Sequence, residues 1–235
     1  MNKLTTIIAS SMIAMLSFVS AANSIEYKVG ITGQSAAYYG NATETLKDTG
    51  VKTSEEAILA FTTMSGFAEI GFDSAMGVTF GVEYTPDVIS FKTATRDIKT
   101  SLGDSTVSVN PTGEDTGTQT ISASVEDMLT AYLAVPIMDS GVHIKLGYTT
   151  ATLVTSEVLA TGSTYKNVDL EGATAGVYYD GNLGDMAFYR LEGAYNTFDD
   201  LALTGSQVGG TAGSFNKIDA ELGGVAAKLS VGLQF

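Results

Sequence analysis

Charged residues in this sequence stand at alternate positions inside apolar stretches, where they could form ion pairs, transfer protons or conduct ions. Lys145, for example, lies between Ile144 and Leu146. If the face that carries such charges is buried, each charge needs a partner of opposite sign. Seven residues of mixed sign are therefore candidates for one buried network: Lys28, Glu69, Glu83, Lys145, Arg190, Glu192 and Lys228.

Catalytic and metal chemistry has few candidate residues. His143 is the only histidine and there is no cysteine, so a nucleophilic triad or a metal site would depend on His143. It alternates in phase with Lys145, which places it on the same inward face, away from an accessible surface. The acidic residues do not show the spacing of an EF-hand calcium loop. We expect neither an enzyme nor a bound cofactor.

The segments that carry these residues alternate with a period of two, which predicts β-strands. The pattern is clearest in "MGVTFGVEY" (76–84) and "VHIKLGY" (142–148), and eight segments share it. They begin near residues 26, 67, 76, 128, 142, 172, 187 and 228. Beyond the N-terminus there is no apolar run near the ~20 residues of a membrane-spanning helix.

The predicted connections alternate in length. Short turns fall at 73–75, 138–141 and 180–185, and long polar segments fall near 40–56, 86–120, 152–167 and 197–215. Short turns at one end and long loops at the other are typical of antiparallel outer-membrane barrels, whereas a soluble sandwich has long loops at both ends.

The cost of placing charge in lipid decides which face points outward. A basic residue on the lipid face costs about 2 to 4 kcal/mol at mid-membrane. If Lys145, Arg190 and Lys228 all faced lipid, the cost would be roughly three times as large, on the order of the stability of a whole domain. These residues are therefore predicted to point inward, with the apolar face outward. A soluble lipocalin-like barrel, with the two faces reversed, is the alternative.

The N-terminus predicts export. Residues 1–22 are predicted to be a signal peptide, because Lys3 is followed by an apolar run to Val19 and then by small residues. We expect cleavage near Ala21 or Ala22; an uncleaved membrane anchor is the alternative. Removing Lys3 with this segment changes the formal net charge from -14 to -15. Nucleic acid is an improbable partner for such an acidic chain.

The eight alternating segments, the connection lengths and the terminal "LSVGLQF" resemble the small eight-stranded outer-membrane proteins of Gram-negative bacteria, the group of the OmpA transmembrane domain, OmpX and the opacity proteins. The resemblance covers residues 23–235 and implies an all-β, up-and-down antiparallel barrel integral to the outer membrane. It also implies that the barrel-assembly machinery recognises the last strand through Leu229, Val231, Leu233 and Phe235. The chain has no Trp, so the aromatic girdles would consist of Phe72, Tyr84, Tyr148, Tyr179 and Phe235.

Two functions remain open. One is a structural or surface-interaction role, in which the charge network closes the lumen and acidic loops meet an unidentified extracellular partner. The other is a small porin, in which the same network gates a narrow channel. The acidic residues assigned to the loops are Glu44, Asp48, Glu55, Glu56, Asp97, Asp104, Glu114, Asp115, Glu157, Asp199 and Asp200. In both cases we expect lipid of the outer membrane to surround the barrel.

Overall fold

The computed structural model describes residues 25–45, 50, 52–72, 77–90, 94–99, 116–138, 140–158, 165–205 and 217–235, and only the backbone at 94–99, 116–121 and 157–158. These residues form ten strands: β1 (Ile25–Thr45), β2 (Lys52–Phe72), β3 (Thr79–Ser90), β4 (Ala94–Lys99), β5 (Thr116–Pro136), β6 (Val142–Val158), β7 (Val168–Asn182), β8 (Ala187–Phe198), β9 (Leu201–Thr204) and β10 (Lys217–Gln234). No helix in this part of the chain has the length and hydropathy needed to cross a membrane.

The strands close into one antiparallel barrel. The order of neighbours is β1-β2-β3-β5-β6-β7-β8-β10, and β10 pairs with β1 to complete the ring. The short strands β4 and β9 pair with β5 and β10, where they continue the wall beyond the ends of β3 and β8. The barrel therefore has eight strands around its circumference, and the predicted fold class is confirmed.

The register fixes the tilt of the strands. Val29 pairs with Ala68, and following paired residues once round the barrel returns to β1 at Tyr39, ten residues further along. With ~3.3 Å per residue and ~4.8 Å between strands, this stagger over eight strands corresponds to a tilt of about 40°. That is the usual tilt of strands in transmembrane barrels.

Several strands are longer than the sequence pattern predicts. β1, β2 and β5 each contain 21 residues, and pairing between β1 and β2 continues to Thr45 and Lys52. The expected long segment at 40–56 is thus mostly strand, and its remainder, 46–51, is no longer than the connection 73–78. The prediction of strictly alternating connection lengths is therefore wrong there. The predicted turn at 73–75 lies outside the described residues.

Two halves of the barrel differ in what they place inside. The turn half is the part of the barrel that extends from the connections 137–141 and 183–186 up to the level of Tyr84, Tyr148 and Tyr195. The remainder is the loop half. In the turn half, outward residues are large and apolar. They include Tyr27, Val29, Ile31, Ile70, Val82, Leu129, Ile144, Leu146, Val177, Leu191, Leu229, Val231, Leu233 and Phe235. Along β10 and the residue that follows it, this belt runs from Val225 to Phe235, about 33 Å of strand and about 25 Å along the barrel axis.

The interior of the loop half is apolar. Its buried cluster comprises Ala36, Tyr38, Val88, Ile89, Val125, Met128, Ala151, Leu170, Phe198 and Ala226, with Leu59, Phe61, Leu153, Leu201 and Leu222 packed against it. The rings of Tyr38 and Phe61 meet edge to face at 5.3 Å. Tyr38 also lies so close to Gly224 that a Cβ there would be 1.8 Å from its Cδ1 atom. Glycine at 224 thus admits the tyrosine into the lumen.

The change from one half to the other coincides with irregular pairing. β2 and β3 pair only between Gly66–Gly71 and Thr79–Tyr84, so their ladder of paired residues ends at the top of the turn half. The register shifts between Asp87 and Ile89 on β3 and between Glu126 and Leu129 on β5. Such bulges change which residues face inward.

Candidate functional site

The seven charged residues predicted from the sequence all lie on the inward face of the turn half. Six of them are buried and Lys28 is partly buried; Lys145 and Arg190 each have 1% of their surface exposed. They come from six strands: β1, β2, β3, β6, β8 and β10. The structure brings them into two groups that contact side chains across the lumen.

Arg190 is the centre of the first group. Its Nη1 and Nη2 atoms donate to the two oxygens of Glu69 at 2.5 and 2.9 Å, and its Nε and Nη2 atoms donate to the two oxygens of Asp180 at 2.7 and 2.9 Å. The guanidinium carbon lies 3.8 Å from the centre of the Tyr178 ring. Because planar guanidinium groups match carboxylates in pairs of parallel hydrogen bonds, one arginine here satisfies two carboxylates from two strands.

Tyr132 completes the first group. Its hydroxyl donates to Glu69 Oε1 at 2.6 Å. The ring lies directly over Gly81, where a Cβ would be 2.3 Å from the Cζ atom of Tyr132. Glycine on β3 thus leaves room for a tyrosine on β5 to reach a carboxylate on β2.

Glu83 is the centre of the second group. Lys145 Nζ donates to Glu83 at 3.0 Å and to Glu192 at 2.9 Å, and Lys228 Nζ donates to both oxygens of Glu83 at 2.8 and 2.9 Å. Ser65 donates a further hydrogen bond to Glu83 at 2.8 Å. Two ammonium groups and two carboxylates make this group electrically neutral, which is the condition under which buried charges are tolerated.

Lys28 lies nearer the turn end of the lumen. Its Nζ atom donates to Asp180 Oδ2 at 3.2 Å and lies 3.5 Å from Glu26. Asp180 therefore links Lys28 to Arg190. The lumen is partly accessible to solvent at this end, since Lys28 and Asp180 keep 14% and 11% of their side-chain surface exposed.

A layer of hydroxyl and amide groups lies between the charges and the apolar cluster. Thr149 Oγ1 is 2.9 Å from Thr130 Oγ1 and 2.6 Å from Thr174 Oγ1, and Thr174 donates to Asn196 Oδ1 at 2.6 Å. Thr32 and Ser230 share a further hydrogen bond of 2.8 Å across the β1–β10 seam. Side chains therefore contact one another at three successive levels of the lumen.

His143 is placed inside the barrel near the turn end. Its ring stacks on Tyr178 at 4.6 Å with 12° between the planes, and its Nδ1 atom is 3.2 Å from the Gly141 carbonyl oxygen. No three Asp, Glu or His side chains in the described ranges lie close enough together to hold a metal ion. His143 packs as part of the lumen filling.

The residues of the expected assembly signal occupy the outward face of β10. Leu229, Val231 and Leu233 pair with β1 at Gly33, Ile31 and Val29. The backbone of Phe235 exchanges two hydrogen bonds with Tyr27, of 2.9 and 3.1 Å. Phe235 is thus paired with β1 like the residues that precede it.

Many acidic residues that the sequence assigned to loops lie on strands. Glu44 is in β1, Glu55 and Glu56 are in β2, Asp97 is in β4 and Glu157 is in β6. Asp199 and Asp200 connect β8 to β9. Asp48, Asp104, Glu114 and Asp115 lie outside the described residues. The loop assignment of those five strand residues was wrong because four of them lie where strands continue beyond the predicted ends, and Asp97 lies in β4, a strand that was not predicted.

Sequence reasoning missed Asp180, Tyr132 and Tyr178 as members of the charged groups. Asp180 was assigned to a turn, although β7 continues to Asn182 and Asp180 pairs directly with Arg190. It has the same parity as Tyr178, whose ring contacts Arg190 inside the lumen, and the alternating segment predicted from residue 172 includes Tyr178. That parity, extended by two residues, was the available signal for Asp180.

This chain is similar to known proteins in structure and not in sequence. No protein-family model matches the sequence, and no curated protein sequence matches it. The outer membrane protein OprG from Pseudomonas aeruginosa is 13% identical, with 89% of this chain and 95% of that chain covered and a TM-score of 0.52. The outer membrane protease OmpT from Escherichia coli is 11% identical, with 92% and 99% covered and a TM-score of 0.51.

These structures define the class of fold. The chain forms a closed antiparallel barrel of the kind found in outer-membrane proteins of Gram-negative bacteria, and the predicted resemblance is confirmed at that level. At such low identity the likeness concerns the fold alone. One of the two proteins is a protease, so the fold leaves the activity of this chain to be argued from its own residues.

Proposed function

We propose that this protein is integral to the outer membrane, has a closed lumen, and serves a structural or surface-interaction role through its loop half. The outward apolar belt of about 25 Å supports the location, since this is the height of the lipid-facing band of outer-membrane barrels. An interior of ion pairs and hydroxyl groups beneath that belt is the reverse of a soluble barrel. A closed barrel leaves no backbone polar group unpaired in lipid.

The observation that carries the closed lumen is the contact of side chains across it. Glu83 on β3 reaches Lys145 on β6 and Lys228 on β10, and Glu69 on β2 reaches Arg190 on β8. An eight-stranded barrel is only wide enough for side chains to fill its interior. Above these pairs, the apolar cluster around Tyr38 and Phe198 adds a layer that disfavours water and ions.

Single-channel recording in planar bilayers tests the closed lumen. We expect no stable openings at moderate voltage from the native chain. The matched control is Lys52→Ala, at an exposed residue of β2, which should be equally silent. Stable unitary openings of the native chain would overturn the closed lumen and favour the small porin.

The loop half is the part available to an extracellular partner. Its outward positions include Glu56 on β2 and Asp219 and Glu221 on β10, at the ends of strands that continue beyond the apolar belt. Acidic surface of this kind favours partners or surfaces of positive charge. Cells that display the protein should bind cationic beads more than cells with Glu56→Gln, Asp219→Gln and Glu221→Gln combined. Equal binding would count against an acidic interaction surface.

Assembly and export complete the proposal. We infer that the barrel-assembly machinery recognises Leu229, Val231, Leu233 and Phe235. Deletion of Phe235 should sharply reduce insertion, measured as heat-modifiable protein in outer-membrane fractions, whereas Gln234→Ala should insert normally. Normal insertion of the deletion variant would contradict this role. N-terminal sequencing of the membrane form should begin at Ala22 or Asn23 if residues 1–21 or 1–22 are a cleaved signal peptide.

No catalytic activity is proposed. The one histidine stacks on Tyr178 and contacts the Gly141 carbonyl oxygen inside the barrel. A general base must reach the proton of a nucleophile on a surface that the substrate can enter. His143→Ala should therefore change neither lipid composition nor peptide cleavage by membranes that contain the protein.

A further inference from the structure

Two neighbouring connections at the turn end expose large apolar side chains. Met138, between β5 and β6, has 89% of its surface exposed, and Leu183 and Met186, between β7 and β8, have 58% and 57% exposed. Ile137 is also exposed. We call these four residues the turn rim. Because β6 pairs with β7, the two connections are adjacent around the barrel.

The backbone at Met138 makes this exposure harder to explain in water. Met138 has φ +50°, a left-handed conformation that Asn, Asp and Gly adopt far more readily than methionine. In the other connection the positive φ falls on Gly184, at +118°. In a fully hydrated turn, a methionine at such a position contributes no favourable free energy. In a turn that contacts lipid, its apolar side chain is removed from water, which is favourable.

The turn rim is continuous with the lower edge of the apolar belt. The N–H of Gln234 donates to the Met186 carbonyl oxygen at 2.9 Å, so Met186 lies opposite the residue that precedes the outward Phe235. The N–H of Ile137 donates to the Val142 carbonyl oxygen at 2.7 Å, and Val142 pairs with the outward Tyr179. At Ile137 the rim therefore continues the outward row of the belt, and at Met186 it lies within one residue of the edge of the belt at Phe235.

We propose that the turn rim inserts into the headgroup layer of the membrane leaflet at the turn end, where Met138, Leu183 and Met186 contact phospholipid. The inference rests on the proposed outer-membrane location and adds the depth at which the barrel sits. The two connections then extend the lipid-facing surface past the ends of the strands. Apolar side chains beside polar turn groups suit this interfacial layer.

The absence of tryptophan from the chain provides a direct test. Met138→Trp and Leu183→Trp, made one at a time, each place a single tryptophan in the full-length protein, which is then folded into phosphatidylcholine vesicles. Lipids brominated near the headgroup should quench both emissions strongly, and lipids brominated deep in the acyl chain should quench them weakly. Iodide in the buffer should have little effect on either.

Two controls separate this inference from the proposed location. Leu229→Trp lies in the apolar belt and should be quenched by deeply brominated lipid, whereas Lys52→Trp lies at the far end of β2 and should be quenched only by iodide. If Leu229→Trp resists lipid quenching, the membrane location itself fails. If Leu229→Trp is quenched by lipid but Met138→Trp and Leu183→Trp respond only to iodide, the location stands and the inserted turn rim is overturned.

Discussion

The turn half and the loop half of this barrel place opposite polarities inside. On β1, Lys28 and Thr32 face inward while Val29 and Ile31 face outward. Further along the same strand, Ala36 and Tyr38 face inward while Asn41 and Thr43 lie on the outer side. The same strand thus has an inverted pattern at one end and an ordinary pattern at the other. The difference follows from the surroundings, since lipid rewards an apolar exterior and water a polar one.

The two halves stabilise the barrel in different ways, and neither uses a disulfide, since the chain has no cysteine. In the turn half the exterior contributes little packing between side chains, so specificity comes from ion pairs and hydrogen bonds across the lumen. In the loop half the apolar cluster serves as an ordinary hydrophobic core. The two mechanisms meet near Thr85, where the bulges of β3 and β5 begin. Substitutions should therefore have different effects in the two halves.

The largest effect is expected in the charged interior of the turn half. Arg190→Ala leaves the buried carboxylates of Glu69 and Asp180 without their main partner, and breaking such a pair costs about 3 to 5 kcal/mol. The variant should show a clearly lower melting temperature in detergent and a lower urea midpoint in vesicles. The control Lys52→Ala removes an exposed cation and should stay within about 0.5 kcal/mol. Unchanged melting of both Arg190→Ala and Glu69→Ala would contradict a stabilising network.

A smaller effect is expected from the apolar core of the loop half. Leu170 is buried among the residues of this cluster, so Leu170→Ala leaves a cavity and should cost about 2 to 4 kcal/mol. Leu229→Ala removes the same atoms from the outside of the turn half, where lipid fills the space, and should cost much less. Urea unfolding from vesicles measures both. Equal losses for the two variants would mean that the loop half lacks a core of the ordinary kind.

On the outer face of the barrel, an added charge should destabilise the turn half but not the loop half. Leu229→Lys places a charge in the lipid-facing belt and should cost about 2 to 4 kcal/mol, depending on depth. Thr43→Lys places the same charge on the outer side of the loop half and should stay within about 0.5 kcal/mol. Urea midpoints in vesicles again measure the difference. If the two variants lose equal stability, the boundary between lipid and water lies elsewhere on β1 and β10.

The turn half was largely predictable from sequence because its environment restricts the residue types on both faces of each strand. Lipid outside and a narrow polar interior force strict alternation, so Lys145 and Arg190 mark the inward face and Leu229 marks the outward one. The sequence did not predict which charged residues form ion pairs with one another. Glu83 contacts Lys145 and Lys228 from strands far apart in the sequence, and only the stagger of the closed barrel brings these three together.

The loop half was not predicted because its alternation is interrupted. Val125 and Met128 both belong to the buried cluster although they are three residues apart, since the bulge between Glu126 and Leu129 changes the phase. Tyr38 and Tyr39 are adjacent and identical, yet the first is buried in the lumen and the second is exposed. Lost phase and repeated residue types hide a strand from a search for period-two alternation, so the strand predicted near residue 128 began too late to include Val125.

The smallest predicted effect lies at the boundary between the halves and has the opposite sign. Thr85 is fully buried, and its hydroxyl oxygen has no hydrogen-bond partner among the described residues. A buried hydroxyl without a partner is unfavourable, and Thr85→Val replaces it with a methyl group of nearly the same volume beside the apolar cluster. We expect this variant to be more stable by about 1 kcal/mol, seen as a higher urea midpoint in vesicles.

Thr149→Val is the matched control for that prediction. Its hydroxyl is hydrogen-bonded to Thr130 and Thr174, so the same change should destabilise the protein by about 1 to 2 kcal/mol. Opposite signs at these two threonines would place the switch from polar to apolar interior at the level of Thr85. If Thr85→Val destabilises the barrel as Thr149→Val does, the polar layer extends above Thr85, and the apolar interior begins only at Val88 and Ile89.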